Sequence, residues 1–114
     1  MPHIIVEYSS NLEPEVEIQP MIAAMHKALS NEGVDAARIK SRAIALDHYV
    51  VGDKGVDGAM VHITLLLLEG RDEATKKQYS TPIHQVALDA VAGKDGYCAV
   101  TLEVRDMDAA TYIL

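Results

Sequence analysis

Apolar residues recur along this chain at two spacings that alternate with each other. Runs of β-branched and apolar residues, which favour strands, are separated by stretches in which apolar residues recur every three or four positions, as on one face of a helix. Predicted strands cover residues 3–8, 39–51, 59–69 and 97–105, and predicted helices cover residues 19–31 and 71–92. The predicted order is therefore β-α-β, a loop, and β-α-β again.

Glycine and proline mark the ends of these segments. Pro20 suits a first helical turn, Gly33 suits a helix stop, and the glycines of residues 52–58 predict a loop. Pro82 lies within the second helical pattern, where it should kink the helix or mark a late start.

The repeated order predicts an α+β, two-layer fold in one domain of 114 residues, with similar halves at about residues 2–51 and 59–105. Each β-α-β unit should cross over right-handed between parallel strands, which places both helices on one face of a four-stranded mixed sheet. The segment 62–68 has apolar residues on both sides, so the uncovered face should be buried against other copies of the chain.

Composition and charge exclude several classes of function. The net charge of −7 disfavours a nucleic-acid partner, which would need concentrated Lys and Arg. Apolar runs are far shorter than the ~20 residues of a membrane span, and no signal peptide is visible. The single cysteine, Cys98, excludes an intrachain disulfide and favours a reducing compartment, so we expect a cytoplasmic protein.

The first residues offer a base. Loss of Met1 would leave Pro2 with a secondary amine at the start of the first strand. Apolar surroundings and nearby cations lower the pKa of such an amine, whose ordinary value is about 7.7–8.0, towards neutrality. A base poised there can abstract a proton next to a carbonyl, although many proteins begin with Met-Pro by chance. With Met1 attached, the Pro2 nitrogen is an amide and cannot act as a base.

Three cations could hold an anionic substrate. Lys40 and Arg42 lie two apart on the second strand and should point to the same side, while Arg71 follows the third strand at the start of a helix. Arginine can clamp a carboxylate with two parallel hydrogen bonds, and a helix N-terminus adds attraction for an anion. For any one of these residues taken singly, a solvated charge at a strand end is the simpler interpretation.

Other reactive side chains form no recognisable motif. The five histidines lack metal-ligand spacing, so no metal site is predicted. His62, among apolar strand neighbours, is interpreted as a hydrogen-bonded structural residue, and Cys98 as a buried thiol. No nucleophile-elbow, Walker or Rossmann glycine pattern occurs.

Four blocks of the sequence form a recognisable set, which comprises residues 1–11 (MPHIIVEYSSN), 39–42 (IKSR), 61–65 (VHITL) and 69–71 (EGR). Together they resemble the 5-carboxymethyl-2-hydroxymuconate isomerase family of the tautomerase superfamily. Their order and spacing are similar to those of the family, and the likeness extends to about Glu103. Where the family usually has Ile-Arg-Ser-Arg, this chain has Lys40, which keeps the charge but loses the planar fork of arginine.

The resemblance implies a homotrimer with its sheets packed inside and active sites near subunit boundaries. It implies an isomerase that converts an unsaturated 2-hydroxy polycarboxylate, a dienol, into a conjugated ketone in the breakdown of aromatic compounds. Pro2 corresponds to the family's catalytic proline, and Arg71 to an arginine that binds substrate carboxylate or polarises its 2-oxo region. Lys40 and Arg42 would hold the carboxylates of this small di- or tricarboxylate. No cofactor is implied, because the substrate's own carbonyl is the electron sink.

Two alternatives stay open at the level of sequence. A hydratase or dehalogenase of the same superfamily would need an acidic residue to activate water, and Glu7 lies five residues beyond Pro2 along the strand. A non-catalytic trimer that binds a small acid or a protein would not need the proline amine.

Overall fold

A computed structural model describes residues 1–114 and contains four strands and two α-helices. The elements, in chain order, are β1 (His3–Ser9), α1 (Ile18–Asn31), β2 (Lys40–Leu46), β3 (Ala59–Leu68), α2 (Glu73–Val91) and β4 (Cys98–Met107). Short 3-10 turns occupy Ser10–Leu12, Ala36–Arg38 and Gly52–Lys54. The predicted order of elements is confirmed.

The strands form one mixed sheet in the order β2-β1-β3-β4. β1 pairs in parallel with β2, and β3 pairs in parallel with β4, as the two crossovers require. The central pair, β1 and β3, is antiparallel, with His3 opposite Leu66 and Tyr8 opposite Val61. The start of β1 therefore lies beside the end of β3.

Both helices cover one face of the sheet, as predicted. Alternate strand residues such as Ile4, Ile63 and Leu65 are fully buried beneath them. Met25 of α1 and Ile83 of α2 complete this core. Each large aliphatic side chain buried in this way contributes about 1.5–3 kcal/mol, so the aliphatic core compensates for the absence of Phe and Trp.

The opposite face, called the open face here, is not covered by the chain's own helices. Its residues alternate with the core positions and are half-buried or exposed, and they include Ile5, Met60 and Leu66. Polar residues such as His62 and Glu103 lie among them. The open face is therefore more polar than the leucine run alone suggested, because the register places a charged or hydroxyl side chain beside most of its apolar ones.

Three predicted boundaries differ from the structure. β2 ends at Leu46 rather than at residue 51, because the chain bends at residues 47–48 and Val51 pairs only with Gly55. α2 begins at Glu73 behind an Asp72 cap, whose carboxylate accepts from the Thr75 N–H at 2.8 Å. β4 continues to Met107, two residues beyond its predicted end.

Pro82 lies inside α2, and the helix runs through it from Glu73 to Val91. The predicted alternative of a late helix start at Pro82 was therefore wrong. The buried positions Ile83 and Ala87, on the turns that follow, attach this part of α2 to the core. Their burial offsets the hydrogen bond that proline cannot donate.

The loop before β3 is packed closely against its own backbone. A Cβ atom at Gly58 would lie 3.0 Å from the Cβ atoms of Lys54 and Val51, so only glycine fits without a shift. The Asn11 amide donates to the Gly58 carbonyl at 2.9 Å and ties this loop to the end of β1. Neither helix combines the length and apolar character that crossing a lipid bilayer requires.

Candidate active site

The amino-terminal end of β1 is enclosed by neighbouring strands. Pro2 is buried, and its carbonyl accepts a hydrogen bond from the Lys40 N–H at 3.0 Å. The next residue, His3, pairs with Lys40 on one side and with Leu66 on the other. Pro2 therefore lies between the start of β2 and the end of β3.

Arg71 is brought to the same end of the sheet by the connection from β3 to α2. Gly70 adopts a positive φ of 113°, which turns the chain away from the strand. The half-buried Arg71 then donates through Nη1 to the Leu68 carbonyl at 3.1 Å, and its guanidinium lies 5.9 Å from the centre of the Tyr79 ring. These contacts use one donor of the guanidinium and leave the others for a ligand.

Cations converge on the terminal amine. Burial lowers the pKa of the Met1 amine below its ordinary value of 8.0, and the positive charges of Arg71, Arg38 and Lys40 lower it further. Burial and like charge both disfavour the protonated amine. The structure thus brings Pro2, Lys40 and Arg71 together, three of the four residues selected from the sequence.

Arg38 belongs to this group and was missed by the sequence reasoning. It ends the 3-10 turn Ala36–Arg38, outside any strand, and makes a long ion pair of 3.8 Å with Asp35. Its spacing of two residues from Lys40 was the one available signal. That spacing carries meaning only within a strand, which begins at Lys40.

Arg42 lies on the open face, two residue pairs further along the sheet than Lys40. It shares that face with Lys40, whereas Ser41 points to the helices and lies 2.7 Å from His26 Nδ1. Arg42 Nη1 lies 3.0 Å from His3 Nδ1, and its charge lowers the pKa of His3 rather than that of the terminal amine. Arg42 therefore contacts the side chain of His3, the residue next to Pro2.

The remaining reactive groups lie away from this end. His62 is hydrogen bonded to Thr101 at 2.7 Å and to Glu103 at 2.8 Å, which confirms its interpretation as a hydrogen-bonded residue. Cys98 is only half-buried, although burial still raises the pKa of its thiol. Glu7 pairs with His62, four pairs further into the sheet than the His3 pair.

The surface cavities lie elsewhere. One of about 430 Å³ runs along α1 and β2, and another of about 460 Å³ lies between α1 and α2. Neither is lined by Pro2, Arg71 or Lys40. The candidate site is therefore an open sheet end in the single chain, rich in positive charge but without walls on every side. No group of three or more His, Cys, Asp or Glu side chains is arranged to hold a metal ion.

Comparison with known proteins gives similar sequences and structures. The family model described as 5-carboxymethyl-2-hydroxymuconate isomerase matches residues 2–113. The 5-carboxymethyl-2-hydroxymuconate Delta-isomerase of Escherichia coli is 34% identical over 79 residues, which are 68% of this chain. The match spans 63% of the length of that relative.

Solved structures show the same architecture. A 5-carboxymethyl-2-hydroxymuconate isomerase from Deinococcus radiodurans R1 is 25% identical with a TM-score of 0.91, covering 99% of this chain and 87% of that one. A structure described as a fused 4-OT symmetric trimer is 19% identical with a TM-score of 0.68, covering 97% of this chain and 94% of that one. The second likeness concerns the fold alone. Together they confirm the tautomerase-like fold expected from the sequence.

Proposed function

The chain belongs to the 5-carboxymethyl-2-hydroxymuconate isomerase family, and on this premise we propose that it is a proline-dependent isomerase. Its substrate is an unsaturated 2-hydroxy polycarboxylate, either 5-carboxymethyl-2-hydroxymuconate or a close analogue. The product is the conjugated ketone. The observation that carries this proposal is the convergence of Arg71, Arg38 and Lys40 on a partly buried terminal amine.

The base in this proposal is the amine that Pro2 acquires when Met1 is removed. The amine then lies one residue deeper, at a buried position, where desolvation disfavours its charged form more strongly. The cations that lower the pKa of the Met1 amine lie at this same end of the sheet, so they should also lower the pKa of the Pro2 amine and favour the unprotonated form that accepts a proton. Neutral Pro2 takes the enol proton and returns it to a different carbon of the conjugated system.

The cations supply binding and electrostatic stabilisation. Arg71 offers free guanidinium donors for a carboxylate or for the 2-oxo region, where negative charge grows as the proton leaves. Lys40 and Arg42 project from the open face beside it and hold the second carboxylate. Lys40 gives a point charge rather than a fork, so it constrains the orientation of the carboxylate less than an arginine would. No cofactor is required, because the carbonyl of the substrate accepts the electron pair.

The assembly that fits this site is a homotrimer. The uncovered open face supports association, because Ile5, Met60 and Leu66 lie there without helices of their own chain above them. The lack of an enclosing cavity around Pro2 supports a site that a neighbouring subunit completes. Solved structures with this fold include symmetric trimers. We place the reaction in the cytoplasmic catabolism of aromatic compounds, in keeping with the substrate and with the single free cysteine.

The test is an ultraviolet assay of ketonisation of 5-carboxymethyl-2-hydroxymuconate at neutral pH, on protein shown by mass to lack Met1. Pro2→Ala protein is compared with the matched control Pro14→Ala, which changes an exposed turn proline. We expect rapid turnover in wild type and control, and a rate lower by about 10²–10⁴ in Pro2→Ala, as for loss of a general base. Turnover at the background rate by processed wild-type protein would reject this substrate, and equal rates in both variants would reject the proline base.

A further inference from the structure

The C-terminal segment folds back over the open face and reaches the start of β1. After β4, the Asp108 carbonyl accepts from the N–H groups of Thr111 and Tyr112, at 3.1 and 3.0 Å, and its carboxylate accepts from the Ala110 N–H at 3.0 Å. This turn directs Tyr112 back to the sheet. The Tyr112 hydroxyl lies 2.8 Å from His3 Nε2, and the two rings meet edge to face at 5.9 Å and 74°.

The other nitrogen of His3 is also engaged. Arg42 Nη1 lies 3.0 Å from His3 Nδ1. A guanidinium can only donate, so Nδ1 must be the unprotonated acceptor. A neutral imidazole then carries its proton on Nε2, which donates to the Tyr112 oxygen. A single neutral tautomer satisfies both contacts at once.

We propose that His3 and Tyr112 are positioning residues that hold the Arg42 guanidinium ready for a substrate carboxylate. This inference rests on the substrate-binding role proposed above for Arg42. The three side chains are called the clasp. They link the third residue of the chain to the third from its end, through an arginine of the intervening strand.

The clasp matters because Arg42 is otherwise unrestrained. Its side chain is exposed, and the structure gives it no carboxylate partner. An arginine already held in place loses less conformational freedom when a ligand binds. The bond to His3 uses one guanidinium nitrogen and leaves the others for a carboxylate.

The clasp also predicts sensitivity to acid. The charged and titratable groups that face His3 are Arg42 and Lys40 from β2, the terminal amine of Met1 and Tyr112 from the tail. On the side of β3 it meets Leu66, which is apolar. Burial lowers the pKa of His3 from 6.5, and Arg42, Lys40 and the amine lower it further. Neutral His3, and with it the clasp, therefore persists below pH 6.5 and is lost as pH falls through the lowered pKa, when a proton on Nδ1 would face Arg42.

Nuclear magnetic resonance tests the clasp independently of catalysis. Long-range ¹⁵N–¹H correlations of the His3 ring at neutral pH should show the tautomer protonated on Nε2. Tyr112→Phe keeps the ring contact but removes the acceptor of the Nε2–H group, so the Nε2–H signal of His3 should shift and the last residues should become more mobile, while the Arg42 donor keeps the tautomer unchanged. The control Tyr97→Phe alters an exposed tyrosine ahead of β4 and should change neither signal.

Kinetics test the positioning role. Tyr112→Phe should raise KM about three- to tenfold, as expected for loss of one hydrogen bond, with kcat within twofold of wild type. His3→Asn places an amide oxygen where Nδ1 accepts from Arg42, so it should restore KM more fully than His3→Ala. Because asparagine does not titrate, His3→Asn should also remove the rise in KM that wild type shows in acid.

The outcomes separate the two proposals. If wild type shows the Nε2–H tautomer and Tyr112→Phe shifts the Nε2–H signal, the clasp stands even where the isomerase assay is negative, and only its role in substrate binding is lost. A wild-type His3 protonated on Nδ1 at neutral pH overturns the clasp, whatever the enzyme does. An unchanged KM in an active Tyr112→Phe enzyme whose Nε2–H signal has shifted overturns the positioning role.

Discussion

Truncation of Arg71 tests the candidate site most directly, because the proposed function gives this residue two roles there. Burial contributes most to lowering the pKa of the terminal amine, and Arg71 contributes most among the positive charges. Arg71 also presents free guanidinium donors at the same end of the sheet. Arg71→Ala should therefore weaken transition-state binding and raise the pKa of the base.

The size of the effect follows from the contacts. A hydrogen bond to a charged group contributes about 1.5–3 kcal/mol, so its loss should lower kcat/KM by about 10- to 150-fold. The substitution also removes the bond to the Leu68 carbonyl and the cation–π contact with Tyr79. The latter contributes about 0.5–1 kcal/mol at an exposed site, so a modest loss of stability should accompany the kinetic change. Arg71→Lys keeps the charge without the fork, and should lie between wild type and Arg71→Ala.

The assay is the pH dependence of kcat/KM for ketonisation, with urea unfolding of each variant measured in parallel. A raised pKa keeps the amine protonated to higher pH, so the acid limb of the Arg71→Ala profile should shift to higher pH. Lys27→Ala, which removes an exposed charge from α1, is the matched control. A folded Arg71→Ala protein that keeps kcat/KM within threefold of the control, with its acid limb unmoved, would refute the reasoning.

Three further predictions concern the rest of the molecule. Leu65→Ala removes a fully buried side chain from the middle of β3, so equilibrium urea unfolding should show a loss of about 2–5 kcal/mol, and a loss below 1 kcal/mol would contradict the described core. Hydrogen bonds from Arg105 and His62 lower the pKa of Glu103 to about 2, so its stabilising effect is present above pH 4.5 and lost as pH falls towards 2; Glu103→Gln should flatten acid unfolding across that window, and an unchanged slope would contradict it. Burial raises the pKa of the Cys98 thiol, so iodoacetamide should label it more slowly at pH 8 in the native protein than in urea, and equal rates would show that the thiol is freely exposed.

The sequence predicted the order of strands and helices because apolar spacing reports directly on which side of an element is buried. The ends of elements were harder. β2 was extended to Val51, since Tyr49, Val50 and Val51 favour strands in isolation, yet no neighbouring strand is available to pair with them beyond Leu46. Local preference does not record where a partner strand ends.

The site was predictable in part for a similar reason. Lys40 and Arg42 could be placed on one side of a strand by their spacing, and Arg71 by its position after another strand. Arg38 approaches the amine from a 3-10 turn, where strand alternation has no meaning. The contact between His3 and Tyr112 joins residues 109 positions apart and depends on a turn at Asp108, so no local sequence pattern predicts it.

The antiparallel pairing of β1 with β3 gives the sheet two comparable ends. At one end β1 starts beside the end of β3, and at the other β3 starts beside the end of β1. The backbone at the second end continues through Gly58 and is tied down by Asn11, so the nitrogen there is an amide. A polypeptide has one α-amino group, so only one of the two similar sheet ends in each chain carries the amine that is proposed to be the base. An alkylating substrate analogue should accordingly titrate the proposed trimer at three sites, with half of the similar sheet ends never labelled.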